Sequence, residues 1–500
     1  MKTGILLAGA LILSATAASA QTLRIGLLDD PDLLDPAPGK SFVGRIVFQS
    51  LCDKLVDIST DLKIVPRLAL SWDTTEDGKV ITFKLRDGVT FQDGEPFNAA
   101  AVKYNIERAK TMPESIRKAE LASVDNVEVI DPLTVRFNLK KPDSTLLAAL
   151  TDRSGMMVAP EAAKQAGAKF GLNPVCSGPY KFVERVQQDH ITLARNPNYW
   201  NAKAFSFDKI VFRTIPDSTA RLASLRSGDL DIAERVEPTD VKELEAQKDF
   251  KVVGIVSLGY QGLTVNVANG QASKAAIGQD KRIRQALSLA IDRQGLVDAV
   301  FDGQFVPAGQ AVPPVSSFYS DKFAPPAHDL DKAKALLKAV GVEHPVVNLR
   351  YTTSSRFQKV SEVIQAMAAE AGFDVKLIST EFATQLKVQT DGDFEVSSIG
   401  WSGRPDPDGN IYSFYVCGGG LNDSHYCNPE VDKVLGDARL TTDVAARKAL
   451  YEKFDAIALD ELPIIYLYFD KWIWGMPAKL QGFTPYPDGM IRLEGIKFAQ

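Results

Sequence analysis

The chain has 500 residues, of which 45% are hydrophobic and 24% are charged. Its 57 basic and 63 acidic side chains give a formal net charge of −6. This acidic balance argues against nucleic acid as a partner, because phosphate binding requires concentrated lysine and arginine. The length exceeds what one hydrophobic core normally organises, so we expect two or three domains.

Residues 1–20 follow the pattern of a cleaved secretory signal peptide. Lys2 provides a positive start, residues 5–12 are apolar, and residues 18–20 form the small-x-small pattern that signal peptidase cleaves. The apolar stretch is shorter than the about 20 residues that a membrane span requires. The sequence therefore predicts a chain that is exported to a Gram-negative periplasm and begins near Gln21, with no cysteine there to carry a lipid anchor.

The four cysteines are expected to form disulfides, because an oxidising compartment favours them over free thiols or a metal site. Four cysteines allow three pairings. Cys417 and Cys427 flank a flexible loop that contains glycines 418–420, so we predict a bridge between them. Cys52 and Cys176 would then link distant segments, with two unpaired, buried thiols as the alternative.

The first part of the exported chain combines a strand, a helix and a hairpin-rich region. Apolar residues predict a strand over 23–28 and a helix over 42–55. Residues 66–170 alternate as hairpins do, so this region is predicted to form a separate α+β insertion. Its expected elements are a strand over 82–85, a hairpin over 127–139 around Asp131-Pro132, and helices near 98–109 and 144–150.

From about residue 280 the pattern becomes a regular alternation of helix and strand. Helical spacing runs over 283–297 with Asp280 as its cap, and a second stripe over 336–340 ends at Gly341. A strand over 347–351, a helix over 360–371 and a strand over 373–377 form a βαβ unit, so the two strands should be parallel. These elements predict the α/β fold class.

The loop that follows the next strand is the first place to look for a binding site. Residues 394–401 are predicted to form a strand, and the loop 402–410 follows the carboxyl end of that strand. In open α/β sheets, ligands bind outside the carboxyl ends of the strands.

A search for catalytic or metal-binding motifs finds none that is complete. The four histidines do not occur at metal-ligand spacings, and no Gly-x-Ser-x-Gly motif is present. Residues 39–41 resemble the end of a phosphate loop, but Leu34 occupies the position of its first glycine. Residues 406–410 resemble a calcium loop, but Ile411 and Cys417 occupy its sixth and twelfth positions. We therefore predict a protein that is not an enzyme and that holds neither a metal nor a cofactor.

Six segments in a fixed order give the chain a family resemblance. It resembles the peptide-binding members of bacterial extracellular solute-binding protein family 5, the dipeptide- and oligopeptide-binding proteins of ABC importers, over essentially the whole exported chain. The segments are 83–89 (FKLRDGV), 91–97 (FQDGEPF), 177–180 (SGPY), 195–200 (RNPNYW), 284–293 (RQALSLAIDR) and 426–432 (YCNPEVD).

The resemblance implies a large, class II two-lobed periplasmic binding protein with an extra α+β domain and a ligand enclosed between the lobes. Three stretches would form the discontinuous lobe I. The implied division is 1–20 for the signal peptide, 21–60 with 173–265 and 479–500 for lobe I, 61–172 for the extra domain, and 266–478 for lobe II.

A peptide ligand is a zwitterion, so enclosing it requires opposite charges at its two ends. The resemblance assigns the ligand's amino terminus to Asp406, with Asp408 as the alternative. Arg404 departs from the family pattern, and we expect it either to pair with Asp406 or to bind a ligand carboxylate in a forked geometry. Arg356 and Lys359 are the candidates for the carboxylate end, although they also fit a solvated helix face.

Three further residues are expected to line the cleft. Tyr260 and Asn266 lie where the chain should pass from one lobe to the other, and the resemblance implies that this segment contacts the ligand backbone. Trp401 is expected either to form an apolar wall or to belong to the core.

The implied function is capture of a small peptide or peptide-like solute by hinge closure, with delivery to an inner-membrane ABC permease by a monomer. The open alternatives are other cargoes, namely glutathione, an opine-like conjugate, an oligosaccharide or a nickel chelate. Two other classes of protein also stay open. A periplasmic hydrolase would need a nucleophile–base pair or a metal site, and a chaperone-like protein would bind unfolded chains.

Overall fold

The computed structural model describes residues 21–499, so the predicted signal peptide lies outside the described residues. A strand, a helix and a short strand open the chain. Ser41 caps the helix, since its hydroxyl accepts a hydrogen bond from the Gly44 backbone N–H, and the helix ends at Leu51, four residues before the predicted end. These elements are β1 (Thr22–Leu27), α1 (Phe42–Leu51) and β2 (Val56–Ile58).

The predicted insertion folds around a four-stranded antiparallel sheet of order β4-β5-β7-β6. The predicted strand over 82–85 and the hairpin around Asp131 are confirmed, and Asn98 caps the first helix. The elements of this region are β3 (Ile64–Pro66), β4 (Ala69–Thr74), β5 (Val80–Leu85), α2 (Ala99–Thr111), β6 (Val124–Asp131), β7 (Thr134–Leu139), α3 (Leu146–Ala149) and α4 (Pro160–Ala166). An apolar core of its own lies between the sheet and α2.

The chain then returns to the sheet that β1 began. Strand β1 pairs in parallel with a strand on each side, and its Leu23, Ile25 and Leu27 are buried on one face. The elements of this stretch are β8 (Tyr180–Val186), β9 (His190–Arg195), β10 (Lys209–Thr214), α5 (Ser218–Ser227), β11 (Ile232–Glu234), α6 (Val241–Glu245) and β12 (Phe250–Val256).

A second lobe follows, and it contains the predicted βαβ unit. Strands β15 and β16 pair in parallel with helix α11 between them, as predicted. The helical pattern over 283–297 is two helices rather than one, because Asp292 caps a new helix. The elements are β13 (Tyr260–Val265), α7 (Ala276–Gln279), α8 (Lys281–Ala290), α9 (Arg293–Phe301), β14 (Val306–Pro307), α10 (Leu330–Val340), β15 (Val346–Thr352), α11 (Ser355–Glu370), β16 (Asp374–Thr380), α12 (Phe382–Asp391), β17 (Val396–Trp401), α13 (Asp408–Tyr415), α14 (Pro429–Leu440), α15 (Val444–Glu461) and β18 (Ile464–Phe469).

The last strands return to the first lobe. They are β19 (Lys471–Pro477), β20 (Leu480–Gln481) and β21 (Lys497–Phe498). The first lobe is built on a seven-stranded sheet of order β12-β19-β11-β1-β10-β9-β8, and the second on a six-stranded sheet of order β14-β18-β13-β17-β15-β16.

Within residues 21–499, no helix combines the length and the apolar character that a membrane crossing requires.

The strand pairing locates the two crossings between the lobes. Strand β12 pairs with β19, whereas β13 pairs with β17 and β18, so the chain leaves the first sheet after Val256 and joins the second at Tyr260. It returns at Asp470, between β18 and β19. We therefore propose lobe boundaries near 258 and 470, each about eight residues earlier than the predicted boundaries at 266 and 479.

Both predicted disulfides are present. Cys52 and Cys176 are bonded with their Cα atoms 4.8 Å apart, and Cys417 and Cys427 are bonded at 4.5 Å. Cys52 directly follows α1, and Cys176 lies just beyond the inserted region, so this bridge closes the neck through which the chain enters and leaves the α+β domain.

Removing the two disulfides separately should destabilise the protein unequally. The first bridge closes a separation of 124 residues and the second a separation of 10. Loop-closure entropy then predicts losses of about 5 and about 3 kcal/mol, respectively. Guanidinium unfolding of the double variants Cys52→Ser/Cys176→Ser and Cys417→Ser/Cys427→Ser measures both losses. A larger loss from the second pair would contradict this ranking by loop length.

Candidate functional site

The two lobes and the inserted domain meet along a seam at the first crossing, and this seam is the candidate site. The chain comes close to itself there. A Cβ at Gly259 would lie 1.7 Å from the Trp401 carbonyl oxygen, and Gly403 has a φ of +81° beside the Leu258 backbone. Only glycine permits both approaches. The seam therefore places the loop after β17 directly against the crossing segment.

An aromatic wall lines the first-lobe side of the seam. Phe42, at the start of α1, stacks on Trp472 with ring centroids 4.5 Å apart. The Arg235 guanidinium lies 5.1 Å from the Phe42 ring centroid and 4.6 Å from the Trp472 ring centroid. Such cation–π contacts hold the cation while leaving its N–H edges available to other acceptors.

Arg356 connects the second lobe to the first. Its Nη2 lies 2.7 Å from Glu237 Oε2 of the first lobe, and it lines a small cleft together with Arg235, Phe305 and Asp470. Burial lowers the pKa of Arg356, but Glu237 and Asp470 oppose that effect, and the pKa is raised overall. The predicted ligand-carboxylate residue therefore forms an ion pair between the lobes.

Two other charged residues, Lys359 and Asp470, differ in their burial. Lys359, the second predicted cation, is exposed on α11. Asp470, at the return crossing, is partly buried and accepts a hydrogen bond from Gln261 Nε2 at 3.0 Å. Burial raises the pKa of Asp470, and Arg356 and Arg235 oppose that rise. Asp470 was not identified from the sequence.

The carboxylates of the predicted binding loop are both engaged by arginines of neighbouring helices. Asp406 accepts two hydrogen bonds of 2.6 Å from Arg447, and Asp408 accepts two of 2.7 Å from Arg439. Burial raises the pKa of Asp408, although Arg439 opposes the shift. These forked pairs attach the loop to α14 and α15. The predicted contact of Asp406 or Asp408 with a ligand amino group stays a prediction, and this pairing does not favour it.

Arg404 points toward the inserted domain rather than toward Asp406. Its Nε lies 3.8 Å from Asp152 Oδ2, and its guanidinium lies 4.7 Å from the Trp401 ring centroid. Its backbone N–H donates to Asn410 Oδ1 at 2.7 Å, which fixes the loop. Burial lowers the pKa of Arg404 to about 10. Of the two predicted roles for Arg404, pairing with Asp406 does not occur, because Arg447 takes both carboxylate oxygens.

Of the three predicted cleft-lining residues, Tyr260 and Trp401 lie at the crossing, where Tyr260 is buried in an apolar cluster and Trp401 packs against it. Trp401 and Tyr260 occupy paired positions of β17 and β13, and the Tyr260 hydroxyl has no hydrogen-bond partner within residues 21–499. Asn266 is fully buried, and its amide donates to the carbonyls of Asn269, Gly392 and Phe394. With its amide N–H groups committed to these turns, Asn266 has a structural role, and its predicted ligand contact is not favoured.

The seam also contains a charged cluster that was not predicted from the sequence. Arg45 of α1 donates from Nε to Asp152 Oδ1 at 3.1 Å, and its Nη2 lies 3.0 Å from Asp152 Oδ2. Arg153 donates to the Gly39 carbonyl at 2.7 Å, and Arg117 donates to Glu120. The sequence did contain a signal for Arg45, because this arginine is the single charged residue in the apolar helix over 42–51.

The cluster is electrostatically coupled. Burial raises the pKa of Asp152, but Arg45, Arg153 and Arg404 hold it well below its usual value. Burial lowers the pKa of Arg153 to about 9, with Asp152 opposing the shift. Within the described chain, no group of three or more histidine, cysteine, aspartate or glutamate side chains is arranged to hold a metal.

Two sheets joined by two crossings, with charged and aromatic side chains buried between the lobes, define a two-lobed periplasmic binding protein. The family model for bacterial extracellular solute-binding proteins, family 5 (middle region), matches residues 63–422. The chain therefore belongs to solute-binding protein family 5, as the sequence resemblance indicated.

Similar proteins extend over nearly the whole chain. The glutathione-binding protein GsiB of Pectobacterium atrosepticum is 30% identical over 475 residues, which cover 92% of this chain and 91% of that protein. GsiB of Escherichia coli (strain K12) is 28% identical over 491 residues, which cover 95% and 94% of the two chains.

Two solved structures share the fold. AgaA of A. tumefaciens R10, in complex with agropinic acid, has a TM-score of 0.82 and 27% identity, with 96% of this chain and 99% of that chain covered. DppA of Helicobacter pylori, in complex with the peptide STSA, has a TM-score of 0.83 and 26% identity, with 96% and 98% covered. These relatives are binding proteins rather than enzymes.

Removing the Asp406 carboxylate should destabilise the ligand-free protein. Asp406→Asn leaves the buried Arg447 without its counter-charge, which costs about 3 kcal/mol of unfolding free energy. Denaturant unfolding of the ligand-free protein measures this loss. Glu128→Gln, which breaks the exposed pair with Arg136, is the control and should cost less than about 1 kcal/mol. Unchanged stability in Asp406→Asn would instead favour a role of Asp406 in binding ligand.

Proposed function

We propose that the chain is the periplasmic solute-binding component of an ABC importer. It captures a small peptide or peptide-like solute between its two lobes and delivers it to the inner-membrane permease. The observation that carries this proposal is the seam itself, where charged and aromatic side chains of both lobes and the inserted domain are buried together. Ligand sites combine apolar walls with a few placed polar groups, as this seam does.

Support for a peptide-like cargo comes from the chemistry of the seam and from the relatives. Phe42, Trp472 and Trp401 are aromatic side chains at the seam, and the guanidinium groups of Arg235 and Arg404 lie over their rings. A zwitterionic solute requires such paired charges when it is removed from water. GsiB, AgaA and DppA are associated with glutathione, agropinic acid and a peptide, and each of these compounds carries carboxylate groups.

The proposed mechanism is closure about the two crossings. Residues 257–259 and Asp470 connect strands of one sheet to strands of the other, so rotation about these short segments would separate the lobes without disrupting either sheet. Contacts across the seam, such as that between Arg356 and Glu237, exist only when the lobes are together. A ligand that bridges the lobes therefore shifts the equilibrium toward the closed form, which the permease would recognise.

The proposed location is the periplasm, with the mature chain acting as a monomer. The signal-peptide pattern over 1–20 supports export, and the two disulfides suit an oxidising compartment. We propose lobe I, the inserted domain and lobe II as the functional units, with the inserted domain contributing part of the wall of the site.

Native mass spectrometry tests the proposed cargo. Protein purified from its host without denaturation should retain a small ligand whose fragments are those of a peptide or a peptide-like conjugate, because an enclosed ligand dissociates slowly. A retained sugar or metal chelate would contradict the peptide-like cargo. Release of altered product after incubation with peptides would contradict a binding role and favour a hydrolase.

Breaking the ion pair between the lobes should favour the open form. Glu237→Gln removes one partner of the 2.7 Å contact with Arg356, so the closed form loses a stabilising interaction that the open form does not make. Small-angle scattering of the ligand-free variant should show a larger radius of gyration than the wild-type chain. The matched control is Glu243→Gln, whose partner Arg226 belongs to the same lobe. An equal effect of both variants would contradict a specific role for the interlobe pair.

A further inference from the structure

Four arginines meet at the point where the two lobes and the inserted domain come together. Lobe I supplies Arg45, and the loop 402–407 of lobe II supplies Arg404. The inserted domain supplies Arg117 and Arg153. Because the four come from three units of the structure, they are brought together by tertiary packing and not by one local motif.

The cluster has more positive than negative charge. Two carboxylates face the four guanidinium groups: Asp152, which contacts Arg45 at 3.0 Å and Arg404 at 3.8 Å, and Glu120, which accepts from Arg117. The four guanidinium groups all act on Asp152, since each of them lowers the pKa of that carboxyl. Two positive charges of the cluster therefore lack a counter-charge within it.

Three of these arginines are almost completely buried. The exposed fractions are 3% for Arg45, 3% for Arg117 and 4% for Arg153. An uncompensated charge removed from water is strongly unfavourable unless a partner of opposite charge joins it. An excess of positive charge at a buried junction is therefore not explained by the stability of the fold.

Each of the same three arginines also has a buried N–H group without a partner. Arg45 Nη1, Arg117 Nε and Arg153 Nε make no hydrogen bond to any residue of the described range 21–499. Buried polar groups in native proteins are nearly always hydrogen-bonded. Among the same buried atoms, Asp152 Oδ2 is an acceptor without a hydrogen-bond partner, so the unpartnered donors of the cluster outnumber its unpartnered acceptors by three to one. This excess of donors indicates a site for an anionic acceptor.

We propose that this arginine cluster binds the acidic end of the transported solute, and that the preferred cargo is a peptide-like molecule with a net negative charge and at least two carboxylates. This proposal rests on the proposed function, because it assumes that the seam holds the cargo. Guanidinium groups bind carboxylates in forked, charge-assisted pairs. Two carboxylates match the excess charge of the cluster.

The location of the cluster also connects recognition to closure. An anion held there contacts arginines of lobe I, lobe II and the inserted domain at once. It cancels the repulsion between Arg404 and the other three arginines, which exists only when lobe II is closed on the other two units. Neutral solutes leave that repulsion in place, so the cluster selects against them as well as for acidic ones.

Calorimetry with a matched pair of dipeptides tests the charge preference. The mature chain is unfolded, freed of any retained ligand, refolded, and titrated with Ala-Glu, Ala-Gln, glutathione and glutarate. Ala-Glu and Ala-Gln have nearly the same shape and differ by one negative charge. Ala-Glu should bind at least tenfold more tightly than Ala-Gln, and glutathione should behave as an acidic ligand.

Variants of the cluster identify the residues responsible. Arg117→Gln and Arg404→Gln should each weaken Ala-Glu binding at least tenfold and change Ala-Gln binding less than threefold. The melting temperature of the ligand-free protein should not fall in Arg404→Gln, because Asp152 keeps its shorter contact with Arg45. Arg117→Gln leaves Glu120 without its counter-charge, so a lower melting temperature is expected for that variant alone. Arg136→Gln, at a half-buried position of β7 outside the cluster, is the control and should leave both affinities unchanged.

The outcomes distinguish the acidic-cargo proposal from the proposed function as a solute-binding protein for peptide-like cargo. Equal affinity for the two dipeptides, or variants that weaken both equally, would overturn the acidic-cargo proposal and leave peptide binding intact. Binding of glutarate without any of the peptides, lost in Arg117→Gln, would overturn the peptide-like cargo and support the anion site. If none of the four probes binds to refolded protein with a wild-type melting curve, both proposals are overturned.

Discussion

The arrangement of the site depends on the burial of charge between two lobes that are joined by only two short crossings. Burying an ion requires a partner of opposite charge close by. In this chain, charged side chains of different units approach within 4 Å at the seam, as Arg356 and Glu237 do, and as Arg404 and Asp152 do. The free energy of these ion pairs depends on how the units are positioned. The ion pairs in turn help to hold the units in that position.

Ion pairs in the structure divide into those that build a unit and those that connect units. Asp406 with Arg447 and Asp408 with Arg439 lie wholly within the second lobe, where they attach the loop after β17 to two helices. That attachment fixes Arg404 and Trp401 in place at the seam. The Cys52–Cys176 bridge acts similarly at the neck of the inserted domain, so that Arg117, Asp152 and Arg153 are held against α1. Rigid units thus present the few groups that meet when the lobes close.

Much of the fold could be predicted from local patterns. The βαβ unit β15-α11-β16, the β6–β7 hairpin and the Cys417–Cys427 bridge were predicted correctly, because periodicity, turn residues and close cysteine spacing are local signals. The Cys52–Cys176 bridge followed only as the remaining pair. The single helix expected over 283–297 was wrong, since Asp292 caps a second helix. The lobe boundaries that we propose lie about one strand earlier in the chain than the predicted ones, because an apolar strand such as β13 has the same sequence pattern in either sheet.

By itself, the sequence determined the family, the α/β class and the loop to inspect, because each of these follows from residues close together in the chain. Only the tertiary structure decided what the charged residues do. It engaged both carboxylates of the loop with arginines more than 30 positions away, used Asn266 to satisfy buried carbonyls, and gathered Arg45, Arg117, Arg153 and Arg404 from three units. The reason is physical, because the cost of burying a charge depends on every group within a few ångströms, and those groups are set by the packing of distant segments.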